Sequence, residues 1–234
     1  MKRPVFFVIF IIVLFLLIQA SAREKEDNYS YRNVLIKMKA HFEKIKTYRC
    51  LFESFTAKGE KTKLVVCNYF YKSPGMIRME ILEGKYNGTV MLYKPHKVRL
   101  KLGRGILSWF SFSYKPEHDW VTDLRDYGLH QSHWGWYIDQ HIRMLELADG
   151  TFSGEEVAAG RDTIKYTIVS KESQKTRSIA KEILWVDKRE FIPVKYVQYD
   201  SLGKIIMSNL HKDIKLNIKL DNKLFRKFKR YKPN

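Results

Sequence analysis

Six potential metal ligands, His118, Asp119, Asp123, Asp126, His130 and His133, fall within 16 residues of this 234-residue chain. Imidazoles and carboxylates at that density could hold a divalent cation. The spacing contains no His-Glu-x-x-His pair, which would set two ligands on one helical face, so the stretch reads as a polar loop. A Ser-His-Asp triad can be drawn from many positions. No Gly-x-Ser-x-Gly elbow is present to expose a nucleophilic serine. Gly103-Arg104-Gly105 is a turn and lacks the length of a phosphate-cradling loop. Cys50 stands in no protease signature. The expectation is therefore a protein that is not an enzyme and that uses no metal and no cofactor.

The two cysteines are Cys50 and Cys67. Tyr48 to Ala57 and Glu60 to Tyr71 read as strands with Lys58-Gly59 between them. A two-residue turn there pairs positions whose numbers sum to 117, which sets Cys50 directly opposite Cys67. That register predicts a Cys50–Cys67 disulfide, with two buried thiols as the alternative.

Compartment follows from the first 22 residues. Lys2 and Arg3 precede an unbroken apolar run from Val5 to Ile18, and Ala20-Ser21-Ala22 is a small-residue cleavage site. The run is shorter than the roughly 20 residues a membrane span needs. Residues 1–22 thus read as a signal peptide cut after Ala22, with an uncleaved anchor as the alternative. Residues 23–234 form one domain, and the chain is expected to be exported and periplasmic, where a disulfide is permitted.

Forty-three Lys and Arg face 25 Asp and Glu, a net charge of +18. A 45% hydrophobic content excludes a disordered chain, and 12 Gly exclude collagen. Removal of the leader leaves +16, and a net +8 of that lies between Lys204 and Asn234. Such a charge usually points to nucleic acid. Export instead points to the anionic surface of a membrane, or to an acidic partner protein, and to no nucleic acid. The residues that would dock are Lys215, Lys219, Lys223, Arg226, Lys227, Lys229 and Arg230. A merely solvated face is the competing reading.

The elements that must position these groups come from periodicity. Ser30 caps a helix to Ile45, with Leu35, Met38, Phe42 and Ile45 on one face. Strands follow at 48–57, 60–71, 76–83, 89–94 and 97–102. Ile106 to Tyr114 is aromatic: Trp109, Phe110 and Phe112 pack inside, as aromatics at strand spacing usually do, or form a cavity wall or membrane-touching rim. Ser132 caps a second helix to about Ala148, ended by Asp149-Gly150. Trp120, Trp134 and Trp136 bracket it. If the helix is a lid, these are the ligand-contacting residues. Strands return after Arg161-Asp162, with Ile164, Tyr166 and Ile168 on one face, and at 178–186 and 191–199, and Lys204 to Leu220 reads as one long final strand with a basic outer face. About ten strands in hairpin order with two helices give an α+β class with one strongly curved antiparallel sheet.

The element order resembles the LolA-like superfamily of outer-membrane lipoprotein carriers. Trp185-Val186-Asp187-Lys188-Arg189-Glu190-Phe191-Ile192-Pro193-Val194-Lys195 resembles the family's hairpin of strand, Asp-turn and Pro-Val strand. Tyr199 to Lys204, Leu224-Phe225, Asn87-Gly88 and Leu92 to Pro95 also fit. The resemblance implies a half-open β-barrel with helices packed in its concave face and an apolar cavity between them for acyl chains. It implies a non-catalytic, monomeric carrier or binder of an acylated lipid or lipoprotein. A cell-envelope sensor or interaction module of the same fold without lipid cargo is the runner-up, and a binder of anionic envelope glycan is a third reading.

Overall fold

The computed structural model describes residues 29–84 and 86–231, so the expected leader lies outside the described residues. The first helix, α1 (Tyr31–Lys44), begins where its cap predicts: the Ser30 hydroxyl accepts from the Asn33 N–H at 3.4 Å. Its Val34, Leu35 and Met38 are buried one or two turns apart, the stripe that seats it on a sheet.

Eleven strands, all antiparallel, form that sheet. The first meander is β1 (Thr47–Lys58), β2 (Lys61–Lys72), β3 (Met76–Ile81), β4 (Val90–Lys94), β5 (Lys97–Lys101) and β6 (Phe112–Tyr114). The second is β7 (Ala148–Ala158), β8 (Arg161–Ser170), β9 (Lys181–Asp187), β10 (Pro193–Tyr199) and β11 (Ile205–Leu216). Pairing of β1 with β11 joins the two, so β6 and β7 are the opposite edges of one curved half-barrel. The period-two alternation sends Tyr48, Cys50, Phe52, Tyr69, Ile77, Tyr166, Leu184 and Val186 to the concave face. There they form one core with α1 and the second helix, α2 (Trp134–Arg143).

Several expectations are corrected. The β1–β2 turn is Gly59-Glu60, one residue later than expected, which pairs Cys50 with Tyr69 and Phe52 with Cys67. The cysteines are diagonal neighbours, both buried and both free thiols, so the expected disulfide is absent. Burial pushes both thiols up, which leaves them little thiolate and little reactivity. Helix α2 is capped by His133 and stops at Arg143, well short of Ala148. Asp149-Gly150 lies in β7, and Gly150 is there for close approach: a Cβ on it would stand 2.3 Å from the Tyr31 ring. The last strand ends at Leu216. Asn217 adopts a left-handed φ of 50°, which asparagine tolerates, and its side chain accepts from the Lys46 N–H at 2.8 Å.

From that bend the basic tail leaves the sheet's plane and straps the convex face. Leu220 and Phe225 bury themselves against Phe70, and Tyr231 packs edge-on to the same ring. Beneath the strap lies a fully buried ion pair. Arg78 bonds Glu80 Oε1 through Nε at 2.6 Å and through Nη2 at 2.5 Å. Its remaining donors reach the carbonyls of Leu224 (2.8 Å), Lys227 (2.6 Å) and Lys229 (2.7 Å), while Glu80 accepts from the Tyr231 N–H at 2.9 Å. A planar guanidinium can place all five of its N–H groups on acceptors in this way, and an ammonium cannot. Arg78→Ala is expected to lower stability by about 3 kcal/mol, because it strands a buried carboxylate. It should also expose residues 221–231 to limited proteolysis, and Arg78→Lys should leave them almost as cleavable, as measured by urea titration and digestion.

Candidate functional site

The connection from β6 to β7 must cross from one sheet edge to the other, and it carries α2 over the concave face. Trp134, at the start of α2, stacks on Tyr48 with ring centroids 3.9 Å apart, and Tyr137 stacks on Tyr196 at 4.4 Å. Tyr31 of α1 and Tyr137 and His141 of α2 converge on the β9–β10 floor. Their interface is a polar seam inside an apolar core.

Glu182 is the hub of the seam. It sits on the inward face of β9, in register with Leu184 and Val186, and is buried. Tyr137 donates its hydroxyl to Glu182 Oε1, and Gln198 Nε2 donates to Oε2 at 2.7 Å. His141 Nε2 lies 3.3 Å from Oε1, and the Tyr31 hydroxyl lies 2.6 Å from His141 Nδ1. A neutral imidazole with its proton on Nε2 satisfies both contacts, accepting from Tyr31 and donating to Glu182. Burial, reinforced by the Glu182 carboxylate, pushes the Tyr31 and Tyr137 phenols up, so both remain protonated donors. Both helices are thus latched to the sheet through one carboxylate.

Other buried polar atoms along this interface have no partner: Trp134 Nε1, Gln198 Oε1 and Asn209 Oδ1. Asn209 uses its other amide end to bond the Tyr196 hydroxyl. A buried donor or acceptor without a partner costs about 1–3 kcal/mol. A hollow between His141, Met144, Ile168 and Glu182 holds about 10 Å³, no more than one water. This hollow is too small for an acyl chain.

Of the six aromatic residues singled out from sequence, only Trp134 touches the floor. Trp136 is half-buried at the outer side of α2, edge-on to Tyr127 at 5.4 Å. Phe112 is half-buried on the edge strand β6. Trp109, Phe110 and Trp120 are neither core nor lid: they are 86%, 60% and 60% exposed. The seven basic residues proposed for docking are all exposed, as expected, but six of them lie on the bend and strap that follow β11. Sequence reasoning missed Glu182, His141, Gln198 and Asn209. The available signal was a carboxylate at the apolar beat of Glu182-Leu184-Val186, and a histidine at i+7 from Trp134 on the buried helical face.

The 118–133 stretch is structural. His118 accepts from the Trp120 N–H, Asp123 accepts from the N–H groups of Arg125 and Tyr127, and Asp126 pairs with Lys58 at 2.8 Å. No three metal-ligating side chains come together among the described residues. A polar cleft of about 450 Å³ opens beside β8, lined by Arg161, Arg189, Asp162, Asp187 and Asp213. Two of its charges are tied up locally: Arg161 pairs with Asp187 at 2.6 Å, and Asp187 also accepts from the backbone N–H groups of Arg189 and Glu190.

No family model matches the sequence, and no curated protein matches it. Solved structures match by fold. An uncharacterized conserved protein of Thermus thermophilus aligns with a TM-score of 0.50 at 13% identity, over 85% of this chain and 92% of its own. The Mycobacterium tuberculosis lipoprotein LppX gives a TM-score of 0.51 at 10% identity, over 82% and 99%. MucB, solved also in a MucA/MucB complex from Pseudomonas aeruginosa, gives 0.52 at 10% identity, over 82% of this chain and 61% of its own. Likeness at these identities is likeness of fold alone: the chain shares the curved antiparallel sheet with packed helices of these structures.

Two neutral histidines make the closed state acid-sensitive. His133 Nδ1 caps α2 by accepting from the Trp136 N–H at 3.2 Å, and burial pushes its imidazole down to about 4. Burial also pushes His211, which lies against Phe52 and Trp134, down to about 4. The ordinary value is 6.5, so between about 6.5 and about 4 the unfolded chain binds more protons than the folded one. Stability is therefore expected to fall as pH drops through that window, by about 1.4 kcal/mol per pH unit for each histidine. Denaturation midpoints measured across it should show this slope, and His133→Asn, which still caps the helix, should remove part of it.

Proposed function

We propose that this protein is a non-catalytic, exported binder of an acylated ligand, a lipid or lipoprotein, acting as a monomer in the periplasm. The observation that carries this reading is the polar seam with its unpartnered Trp134 Nε1, Gln198 Oε1 and Asn209 Oδ1 between helix and floor. Lifting α2 would present these groups to the polar end of a ligand and uncover the surrounding apolar floor to acyl chains. Each buried CH₂ would then contribute about 0.8 kcal/mol. The helices are held by hydrogen bonds and packing alone, which suits reversible opening. LppX, of the same fold, is itself a lipoprotein. The exposed cations Lys215, Lys219, Lys223, Arg226, Lys227, Lys229 and Arg230 would bring the protein to an anionic membrane or an acidic partner, setting encounter rate more than affinity.

One observation favours the second reading, an envelope interaction module without cargo: the closed interface is filled, with Trp134 stacked on Tyr48. MucB forms a complex with MucA, and a protein partner would be the counterpart here. Native mass spectrometry after detergent-free purification separates the two. A population carrying extractable acyl lipid, reduced when Glu182→Leu weakens the latch and lets cargo escape, is the expected result. A uniformly lipid-free protein that also fails to take up a fluorescent fatty acid would rule the binder reading out.

A further inference from the structure

Among the described residues, a strongly exposed apolar segment lies outside both the core and the seam. After β5, Gly105 adopts a φ of 79° and launches a single 3-10 turn, Ile106–Trp109, in which no residue is buried. Ile106 is 85% exposed and Trp109 86%, with Leu107 and Phe110 also largely in solvent. Four large apolar side chains in five residues form a patch that water disfavours, and none of the described residues covers it.

The surroundings of this tip identify its partner. Gly103, two residues before Gly105, packs on Gly88, and the far end of the basic strap closes on the same point. Arg230 Nη2 lies 3.4 Å from Asn87 Oδ1 and from the Ile81 carbonyl, and a Cβ on Gly88 would be 3.4 Å from it. Further along the strap, Arg99 of β5 bonds the Arg226 carbonyl at 3.1 Å and stacks on the Phe228 ring at 4.8 Å. Lys97, Arg99 and Lys101 share the convex face of β5, and Arg104 is exposed at the base of the tip. The two segments that meet here, 86–116 and 222–231, contain no Asp or Glu. An apolar tip thus stands at the border of a field of cations with no acid among them in sequence. Trp and aliphatic side chains favour the lipid–water boundary, and each nearby cation is attracted by anionic headgroups.

We infer that Ile106, Leu107, Trp109 and Phe110 insert into the interfacial layer of an anionic bilayer, while Arg104 and the strap cations Arg226, Lys227, Lys229 and Arg230 engage lipid phosphates. This deepens the docking part of the proposed function and does not depend on an acyl cargo. An acidic protein would satisfy the cations but would leave the splayed apolar tip without a layer to enter.

The test is vesicle co-sedimentation with the purified full chain, using phosphatidylcholine alone or mixed with phosphatidylglycerol, and comparing chains of identical length so that residues 1–22 contribute equally. Trp109→Ala combined with Phe110→Ala should weaken binding to the mixed vesicles about tenfold, equivalent to about 1.4 kcal/mol. Trp109→Phe should retain binding but lose the share of tryptophan emission that brominated acyl chains quench. The affected side chains are exposed, so the unfolding midpoint should not move. Binding by the double variant equal to that of the unmodified chain would overturn the inference. So would tryptophan quenching that is the same with and without Trp109, which would place the tip outside the bilayer. Vesicle binding by lipid-free protein would leave this inference standing while the cargo reading failed.

Discussion

The architecture depends on one strand pairing. β1 meets β11 antiparallel from Tyr48 opposite Leu216 to Thr56 opposite Met207, across a bulge between Arg49 and Leu51. Every other strand pair in the sheet joins neighbours in sequence, so each meander can form as a chain of hairpins. The β1–β11 seam alone fuses two six- and five-stranded meanders into one surface. It brings together residues more than 150 positions apart. Such closure costs little more entropy than a shorter loop but is slow to find, so the seam is expected to form late in folding. Its consequence is topological. With β1 and β11 central, β6 and β7 become the far edges, and the chain between them has to travel the width of the concave face. A helix in that crossing becomes a cover whatever its sequence.

The two faces are covered by different physics. On the convex side the strap is held by a guanidinium whose five donors are all used and by Phe225 and Leu220 in an apolar patch. Removing any one partner there leaves a buried charge exposed to no solvent, which makes the strap an integral part of the fold. On the concave side the helices rest on aromatic stacks and a hub carboxylate, and Trp134 Nε1, Gln198 Oε1 and Asn209 Oδ1 are among the polar atoms left unmatched. Polar groups in a low-dielectric interior stabilise only when satisfied. The convex cover thus rests on a saturated charge clamp, and the concave one on aromatic stacks around a polar hub.

Sequence reading recovered what periodicity and caps encode. α1 was legible from Ser30 and the 3–4 spacing of Leu35 and Met38, and most strands were legible from alternation. What failed was placement that depends on distant contacts. Gly59 could occupy either central position of the β1–β2 turn, and the one-residue difference moved Cys50 from Cys67 to Tyr69. Gly150 looks like a helix stop, yet its role is set by Tyr31, more than a hundred residues earlier. β7 is an edge strand with exposed Glu156 and Val157, and its weak alternation left it unseen. The aromatics of 106–110 looked like core because apolar content alone does not report whether anything lies opposite. The seam was missed for the converse reason: Glu182 and Gln198 are buried only because both helices arrive above them.

The charge that dominates the composition also follows from the fold. Along the strap, Leu220, Phe225 and Tyr231 occupy the inward positions, and the carbonyls of Leu224, Lys227 and Lys229 turn down to meet Arg78. A backbone whose carbonyls point at a buried cation has to send its other side chains outward, so Lys223, Arg226, Lys227, Lys229 and Arg230 are held on the surface. Acidic residues in those positions would be solvated as easily, and the clamp would work equally well. Since packing is indifferent to the sign, stability does not explain the uniform positive charge of that face.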